Sequence, residues 1–171
     1  MIYEKIIRPL MFSLPPEKAH SLMQTALRFP VFWEPFRPKQ NIALSTEVAG
    51  IGLRNPIGLA AGFDKDLNYL SGLYNLGFGY IVGGTVMRNA RTGNPTPNIR
   101  RLLSSEAMIN SMGLPSQGLD YAVKQLKNTK IHCPLFVSIS GLTAQEIQEC
   151  YQELEEHVAG FEINISSPNE H

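Results

Sequence analysis

The sequence contains little cysteine, has no net charge and lacks any long apolar run. Cys133 and Cys150 are the two cysteines in 171 residues. They are too few for a disulfide framework, so we expect both to be reduced and buried. The 15 basic and 15 acidic residues balance, which gives no electrostatic basis for binding nucleic acid. No uncharged run of about 18 apolar residues occurs, and residues 1–14 lack the apolar core of a signal peptide. We therefore expect a soluble or, at most, peripheral protein.

Several motifs that carry chemistry are absent as well. There is no Walker-type phosphate loop and no G-x-S-x-G nucleophile elbow. The four histidines stand at positions 20, 132, 157 and 171, a spacing unlike that of metal ligands. The sequence therefore predicts no metal site, and no pattern of interleaved basic and aromatic residues points to nucleic acid.

Residues 1–40 are predicted to form two short amphipathic helices. The apolar stripe of the first contains Ile2, Tyr3, Ile6, Ile7, Leu10 and Met11, and that of the second contains Ala19, Leu22, Met23, Ala26 and Leu27. The intervening "SLPPEKAH" starts the second helix, with Ser13 as a possible N-cap. The segment has six basic and three acidic residues, a balance that suits packing on the rest of the chain or contact with a membrane surface. The pattern by itself favours packing.

From residue 50 onward, apolar strands alternate with amphipathic helices. The predicted strands are "NPIGLAAG" (55–62), "GYIVGGTV" (79–86), "PLFVSIS" (134–140) and "FEINIS" (161–166). Helices are predicted over 67–76, over 119–126 and after a capping box that spans 143–146. This alternation predicts a parallel sheet covered on both faces. Four such units equal half of a (β/α)8 barrel. A doubly wound sheet is the alternative, although the first turn, "AAGFDKD", lacks the G-x-G-x-x-G fingerprint.

Small and polar residues gather where each predicted strand ends, which is where (β/α)8 barrels build their sites. In chain order these are Ala60, Ala61, Gly62, Asp64 and Lys65; Gly83, Gly84 and Thr85; Ser138 and Ser140; and Asn164, Ser166, Ser167 and Asn169. Lys65 suits an anion contact, a Schiff base or a solvated turn. The loop over 87–115 is long enough to predict an ordered, functional segment, with Asn110 as a candidate reader of a polar ligand. The asparagines that flank the serines offer donors and acceptors to a heterocycle with alternating C=O and N–H groups.

Six stretches resemble the class 2, quinone-linked dihydroorotate dehydrogenases. They are "PEKAH", "GLRNPIGLAAGFDK", "GFGYIVGGTV", "GNPTPNIRRL", "AMIN" followed by "MG", and "INISSPN", and together they span essentially the whole chain. The resemblance implies a (β/α)8 barrel with an N-terminal helical extension. It also implies the oxidation of dihydroorotate to orotate in pyrimidine biosynthesis, with FMN as hydride acceptor and a membrane quinone as final electron acceptor.

The resemblance further implies roles for individual residues. Contacts with FMN are implied for Ala61, Gly62, Lys65, Thr85, Ser138 and Asn164, where Ser138 occupies a position that is asparagine in many class 2 members. Contacts with the substrate are implied for Lys65, Asn110, Ser111, Met112, Gly113, Leu114, Asn164 and Asn169. Ser167 matches the catalytic base that removes the C5 proton while hydride leaves C6. His20 and Arg101 match positions that line the quinone tunnel.

The resemblance also divides the chain in two and suggests a location. Residues 1–40 correspond to a helical extension associated with the membrane and the quinone, which reverses the preference for simple packing. Residues 41–171 correspond to the first half of the FMN-binding barrel. We expect a peripheral protein on the cytoplasmic side of the cell membrane. Glu170 and His171 replace the threonine and proline that usually continue the last motif. Because the family's second half supplies four more strands and the flavin phosphate site, we expect the isolated chain to have little activity and to retain FMN poorly.

Two other functions stay open at this point. The first is a truncated, non-catalytic half-barrel that acts only by association with another chain. The second is an aldolase that forms a Schiff base at Lys65, which would leave "NISSPN" without a role.

Overall fold

The structure, a computed structural model, describes residues 3–165 and residue 167. Its α-helices are α1 (Arg8–Phe12), α2 (Pro16–Leu27), α3 (Leu70–Asn75), α4 (Leu119–Asn128) and α5 (Ala144–Leu154), and a π-helical turn, Tyr3–Ile7, precedes α1. Its strands are β1 (Thr46–Val48), β2 (Ile51–Leu53), β3 (Gly58–Leu59), β4 (Tyr80–Met87), β5 (Ile99–Leu102), β6 (Ala107–Asn110), β7 (Leu135–Ser140) and β8 (Gly160–Ile163).

The central sheet has the strand order β3-β4-β7-β8, and all three pairings are parallel. The order follows the chain without the reversal that a doubly wound sheet requires. The crossovers contain α3, α4 and α5 in turn. This succession is that of a (β/α)8 barrel and confirms the four predicted strands.

A bulge in β4 shapes the carboxyl end of the sheet. Gly83 pairs with Val137 and Val86 with Ile139, so that Gly84 and Thr85 together stand opposite a single residue of β7. Gly84 has φ +102°, and a Cβ there would lie 2.4 Å from the carbonyl oxygen of Ser138. Only glycine combines this backbone conformation with so close an approach.

The apolar core lies between the sheet and its three crossover helices. Its members are almost fully buried and include Leu70 and Leu73 of α3, Leu119 and Ala122 of α4, Cys150 and Leu154 of α5, and Ile81, Val86, Leu135, Val137 and Ile139 of the strands. The buried residues of α4 and of α5 are three and four positions apart, so each helix turns one face to the core.

The capping box at the start of α5 is confirmed, with one difference. The Thr143 hydroxyl accepts a hydrogen bond from the amide of Glu146 at 3.2 Å. The Glu146 carboxylate accepts its return bond from the amide of Leu142 at 2.7 Å, one residue earlier than the usual partner.

Three local expectations were wrong or incomplete. The helix predicted over 67–76 begins only at Leu70, because the Asp64 carboxylate binds the preceding amides. Ser13 does not cap α2, since its hydroxyl donates to the carbonyl of Leu10 and so closes α1. Two antiparallel hairpins were not predicted, β1-β2 and β5-β6, and the second lies inside the long loop over 87–115.

The N-terminal helices differ in how they pack. Leu27 of α2 is 1% exposed, and Gly72 of α3 lies directly against its carbonyl oxygen. By contrast, Ile6 and Leu10 before and within α1 are 62% and 61% exposed. Across the described residues, no helix is both long enough and apolar enough to span a membrane. The proposed boundary at residue 40 stays a prediction.

We expect Gly84→Ala to destabilise the fold by about 2 kcal/mol or more, because the added Cβ meets the carbonyl oxygen of Ser138 and the positive φ disfavours alanine. Urea unfolding followed by circular dichroism measures the change. Gly52→Ala is the matched control, because a Cβ at Gly52 has no neighbour within 4 Å. Equal stability of the two variants would contradict this account of the bulge.

Candidate active site

A pocket of about 750 Å³ lies at the carboxyl ends of the central strands. It is lined by His20, Ala61, Gly62, Phe63, Lys65, Thr85, Ile99, Met108, Asn110, Met112, Gly113, Leu114, Pro115, Glu162, Ile163, Asn164 and Ser167. These residues come from α2, from the turn after β3, from β4, from β8 and the segment after it, and from the β5-β6 hairpin with the segment that follows it.

The turns after β3 and within β4 are joined by backbone hydrogen bonds. The amide of Gly62 donates to the carbonyl of Gly84, and the amide of Gly84 donates to the carbonyl of Asp64, both at 2.9 Å. Lys65 lies on the same turn, and its ammonium group donates to the carbonyl of Gly62. Burial lowers the pKa of Lys65, although the carboxylates of Asp66 and Asp64 oppose this effect. The turn therefore holds a half-buried lysine at the pocket wall.

Asp64 is the buried carboxylate under this turn and is 1% exposed. It accepts hydrogen bonds of 2.8 Å from the amides of Asn68 and Tyr69. Burial raises the pKa of Asp64 from 3.8 to about 6, against the lowering effect of these two bonds and of Lys65. Asp64 thus stabilises the turn from below.

Polar side chains from three strands meet beneath the pocket. The Thr85 and Ser138 hydroxyl oxygens are 3.0 Å apart, and the side-chain amide of Asn164 donates to the Thr85 hydroxyl at 3.2 Å. The Ser140 hydroxyl donates to the carbonyl of Asn164 at 3.0 Å. This network fixes the amide of Asn164 at the pocket wall.

The loop over 87–115 forms the opposite wall of the pocket. The β5-β6 pairing brings Asn110 opposite Ile99. Asn94 then secures the segment after β6: its amide donates to the carbonyl of Met112 at 2.9 Å, and its side chain donates to the carbonyl and hydroxyl of Ser111 at 2.9 and 3.1 Å. The loop is therefore ordered, as predicted.

Helix α2 contributes the mouth of the pocket. The His20 ring packs on Phe63 with 5.1 Å between ring centroids. Its Nε2 is buried and has no hydrogen-bond partner among residues 3–165 and 167. Burial, and to a smaller extent the charge of Lys65, lowers the pKa of His20, which favours the neutral imidazole.

The structure brings most of the predicted site residues to this one pocket. Its lining includes Ala61, Gly62, Lys65, Thr85, Asn110, Met112, Gly113, Leu114, Asn164, Ser167 and His20. Ser138 is instead fully buried behind Thr85, and Ser111 faces Asn94. Arg101 binds the carbonyls of Met11, Phe12 and Leu14 at the end of α1. Asn169 lies outside the described residues.

One lining residue of clear chemical interest was not predicted. Glu162 pairs in register with Ser138 and is the one carboxylate among the described residues that line the pocket. Its position two residues before Asn164 gave a usable signal, because residues i and i+2 of a strand share a face.

A parallel sheet in chain order, with a polar pocket at the carboxyl ends of its strands, is the arrangement of (β/α)8-barrel enzymes. The family model described as dihydroorotate dehydrogenase matches residues 43–171. The chain belongs to this family.

Curated relatives and solved structures agree with this assignment. A dihydroorotate dehydrogenase (quinone) of Coxiella burnetii is 41% identical over 99% of this chain and 51% of its own length. That of Methylococcus capsulatus is 35% identical over 99% of this chain and 52% of its own length. The crystal structure of Eimeria tenella DHODH in complex with ferulenol has a TM-score of 0.78 and 30% identity, covering 91% of this chain and 45% of that one. The chain thus spans about half the length of the relatives it matches, and its fold is a partial barrel of this class.

We expect the stability of the chain to carry a pH dependence from Asp64. Because the folded-state pKa is about 6 and the ordinary value is 3.8, the contribution of Asp64 is full below about pH 4 and is lost as the pH rises through about 6. The loss is on the order of 3 kcal/mol. The unfolding free energy of the wild type minus that of Asp64→Asn, measured from pH 4 to 7, should fall by this amount as the pH rises.

Asp120→Asn is the control, because the side chain of Asp120 is 97% exposed. In this variant the unfolding free energy should depend on pH as it does in the wild type. If Asp64→Asn also kept that pH dependence, a group other than Asp64 would be its cause.

Proposed function

We propose that the chain provides the N-terminal half of the active site of a dihydroorotate dehydrogenase (quinone). The whole protein would oxidise dihydroorotate to orotate in pyrimidine biosynthesis, with FMN as cofactor and a quinone as final electron acceptor. The observation that carries the proposal is the pocket itself, where a chain of this family gathers Lys65, Asn110, Asn164 and Ser167 from separate elements. The names of the curated relatives support the same activity.

The residues of the pocket fit a flat flavin ring. Gly62 has φ +99°, and a Cβ built there would meet no atom within 4 Å, so the backbone is open to a planar ligand. Lys65, Thr85 and Asn164 supply donors on the same wall. FMN, when bound, would supply the acceptor for the hydride, which carries both electrons of the oxidation. We propose that Ala61, Gly62, Lys65, Thr85 and Asn164 hold it, with Ser138 acting through Thr85.

The residues of the chain would orient dihydroorotate and take a proton from it. Asn110, Asn164 and the segment Met112–Leu114 would bind the polar edge of the pyrimidine, with Ser111 and Asn169 as further proposed contacts. Lys65 would pair with its negative charge. Ser167 would remove the proton at C5. A hydroxyl is a weak base at its ordinary pKa, so the pocket must stabilise the charge that develops on it and pass the proton onward.

The proposed path for the quinone enters along α2. The pocket mouth combines the His20 and Phe63 rings with the apolar side chains of Ile99 and Met108. An apolar mouth lined by a neutral imidazole suits an uncharged ring that carries carbonyl oxygens. Arg101 would act there by holding the end of α1 in place.

The proposed membrane contact is the exposed apolar surface of residues 3–12. Tyr3, Ile6, Leu10 and Phe12 are 61%, 62%, 61% and 48% exposed, and residues 1–40 carry the basic excess that favours anionic lipid. A peripheral position on the cytoplasmic side of the cell membrane would bring the quinone to the mouth of the pocket.

The proposed function is tested by measuring FMN binding and the formation of orotate from dihydroorotate with a soluble quinone. We expect weak activity from the chain alone and higher activity when it is co-expressed with the remaining half of the Coxiella burnetii relative. In the active form, Ser167→Ala should lower the rate by about 100-fold or more while FMN stays bound, because the base is lost.

Ser105→Ala, an exposed serine in the β5-β6 turn, is the matched control and should leave the rate unchanged. Binding of the second half without flavin or turnover would favour the half-barrel that acts by association. Trapping of a carbonyl substrate on Lys65 by borohydride would favour the aldolase.

The membrane contact is tested with vesicles of anionic phospholipid. The double variant Ile6→Gln, Leu10→Gln should bind about tenfold more weakly, because two exposed apolar side chains lose their transfer into lipid. Val48→Gln in β1, where the side chain is 57% exposed, should bind as the wild type does. If the wild type, the double variant and Val48→Gln bound vesicles equally, α1 and the turn before it would not form the membrane contact.

A further inference from the structure

A second cavity, of about 410 Å³, lies at the opposite end of the central sheet. Gly79, just before β4, and Pro134, just before β7, both line it, so it opens at the amino-terminal ends of these strands. Ser45 and Thr46 line it from the start of the β1-β2 hairpin. Among the residues that the structure describes, the two linings have none in common.

Three basic side chains surround one aromatic ring of this cavity. The guanidinium carbon of Arg54 lies 4.7 Å from the centroid of the Tyr74 ring, and that of Arg37 lies 5.2 Å from it. The His132 ring is 5.7 Å from the same ring. The two guanidinium carbons are therefore at most about 10 Å apart, and their like charges add to one positive potential around the ring.

Acidic side chains do not balance this charge. The cavity lining contains no aspartate or glutamate among the described residues. Within the part of the chain that the structure describes, the ion pairs with a carboxylate are those of Arg88, and neither Arg37 nor Arg54 forms one. The cavity is therefore a positively charged region without a fixed counter-charge.

Arg54 is held rigidly and still has donors to offer. Its Nε donates to the carbonyl of Phe78 at 3.0 Å and its Nη2 to that of Tyr74 at 3.1 Å. Two of the five N–H groups of a guanidinium are thereby used, and the others have no acceptor among the described residues. The hydroxyls of Ser45 and Thr46, the imidazole of His132 and the amide of Gln40 add further donors around the same space.

We propose that this cavity binds a small oxyanion, a phosphate or carboxylate group of a free metabolite, between Arg54, His132 and the Ser45-Thr46 hydroxyls. The shared chemistry is charge-assisted hydrogen bonding to oxygen by a preorganised guanidinium. Arg37 increases the positive potential across the Tyr74 ring. The site is separate from the candidate active site and independent of the proposed function.

The test is titration of the full chain with inorganic phosphate by calorimetry, at neutral pH and low ionic strength, because salt screens the interaction. We expect one saturable site with a dissociation constant on the order of 1 mM or tighter. Malonate replaces phosphate in a second titration and distinguishes a carboxylate site from a phosphate site. Sodium chloride at equal ionic strength corrects for screening.

Variants locate the bound anion. Arg37→Gln and His132→Gln should each weaken phosphate binding, the latter by about tenfold because it removes a direct donor. Arg28→Gln is the matched control. The guanidinium carbon of Arg28 lies 5.7 Å from the centroid of a different ring, that of Tyr69, and Arg28 does not line this cavity. Arg54 is left intact, since it also holds two main-chain carbonyls.

Three results would overturn the proposal. The first is the absence of saturable heat with either anion. The second is an equal loss of binding in Arg28→Gln, which would indicate a response to net charge. The third is a loss of binding in Lys65→Gln with His132→Gln unaffected, which would place the anion in the candidate active site.

Discussion

The candidate active site depends on the backbone bonds that join the turn after β3 to the bulge of β4. Gly84 accepts from Gly62 and donates to Asp64 through its own main chain, so each turn fixes the other. These bonds require the glycine at position 84, because a side chain there would collide with β7. Lys65 and Thr85, which follow the two joined segments, reach the same pocket as a consequence. The position of Lys65 therefore depends on the bulge of β4 as well as on its own turn.

This arrangement buries the carboxylate of Asp64, and nearby donors offset the unfavourable burial of its charge. Its carboxylate is almost fully buried, which disfavours the charged form, yet it accepts two backbone amides and lies beside Lys65. Burial raises the pKa of the acid and lowers that of the lysine, and the attraction between the two charges opposes both shifts. Since the amides at 68 and 69 are satisfied by Asp64, α3 starts later than its apolar pattern suggests. The same contact thus sets the helix boundary and the electrostatics of the pocket wall.

The parts of this structure that could be predicted are those that one local pattern determines. Apolar runs predicted the four central strands, and Thr143 with Glu146 predicted the start of α5, because burial and capping act over a few residues. The short hairpins β1-β2 and β5-β6 were missed, since their strands are three or four residues long and mostly exposed. Ser138 illustrates a different limit. It was expected where the third strand ends, but it lies inside β7, and the bulge sets Thr85 beside its hydroxyl. The Gly83-Gly84 pair hints at a bulge, but it does not indicate which side chain reaches the pocket.

Helix α2 is part of the pocket, through His20, and not merely attached to the sheet. Gln24 of α2 donates to the carbonyl of Phe63 at 3.3 Å, and Glu17 accepts from the amides of Asn98 and Ile99 at 3.2 and 3.3 Å. One helix is therefore bonded to both walls, the turn after β3 and the β5-β6 hairpin, and His20 lies between these two anchors. A displacement of α2 would stretch bonds to both walls, because the Gln24 and Glu17 side chains bind main-chain groups there. Helix α2 thus links the turn after β3 to the β5-β6 hairpin at the mouth of the pocket.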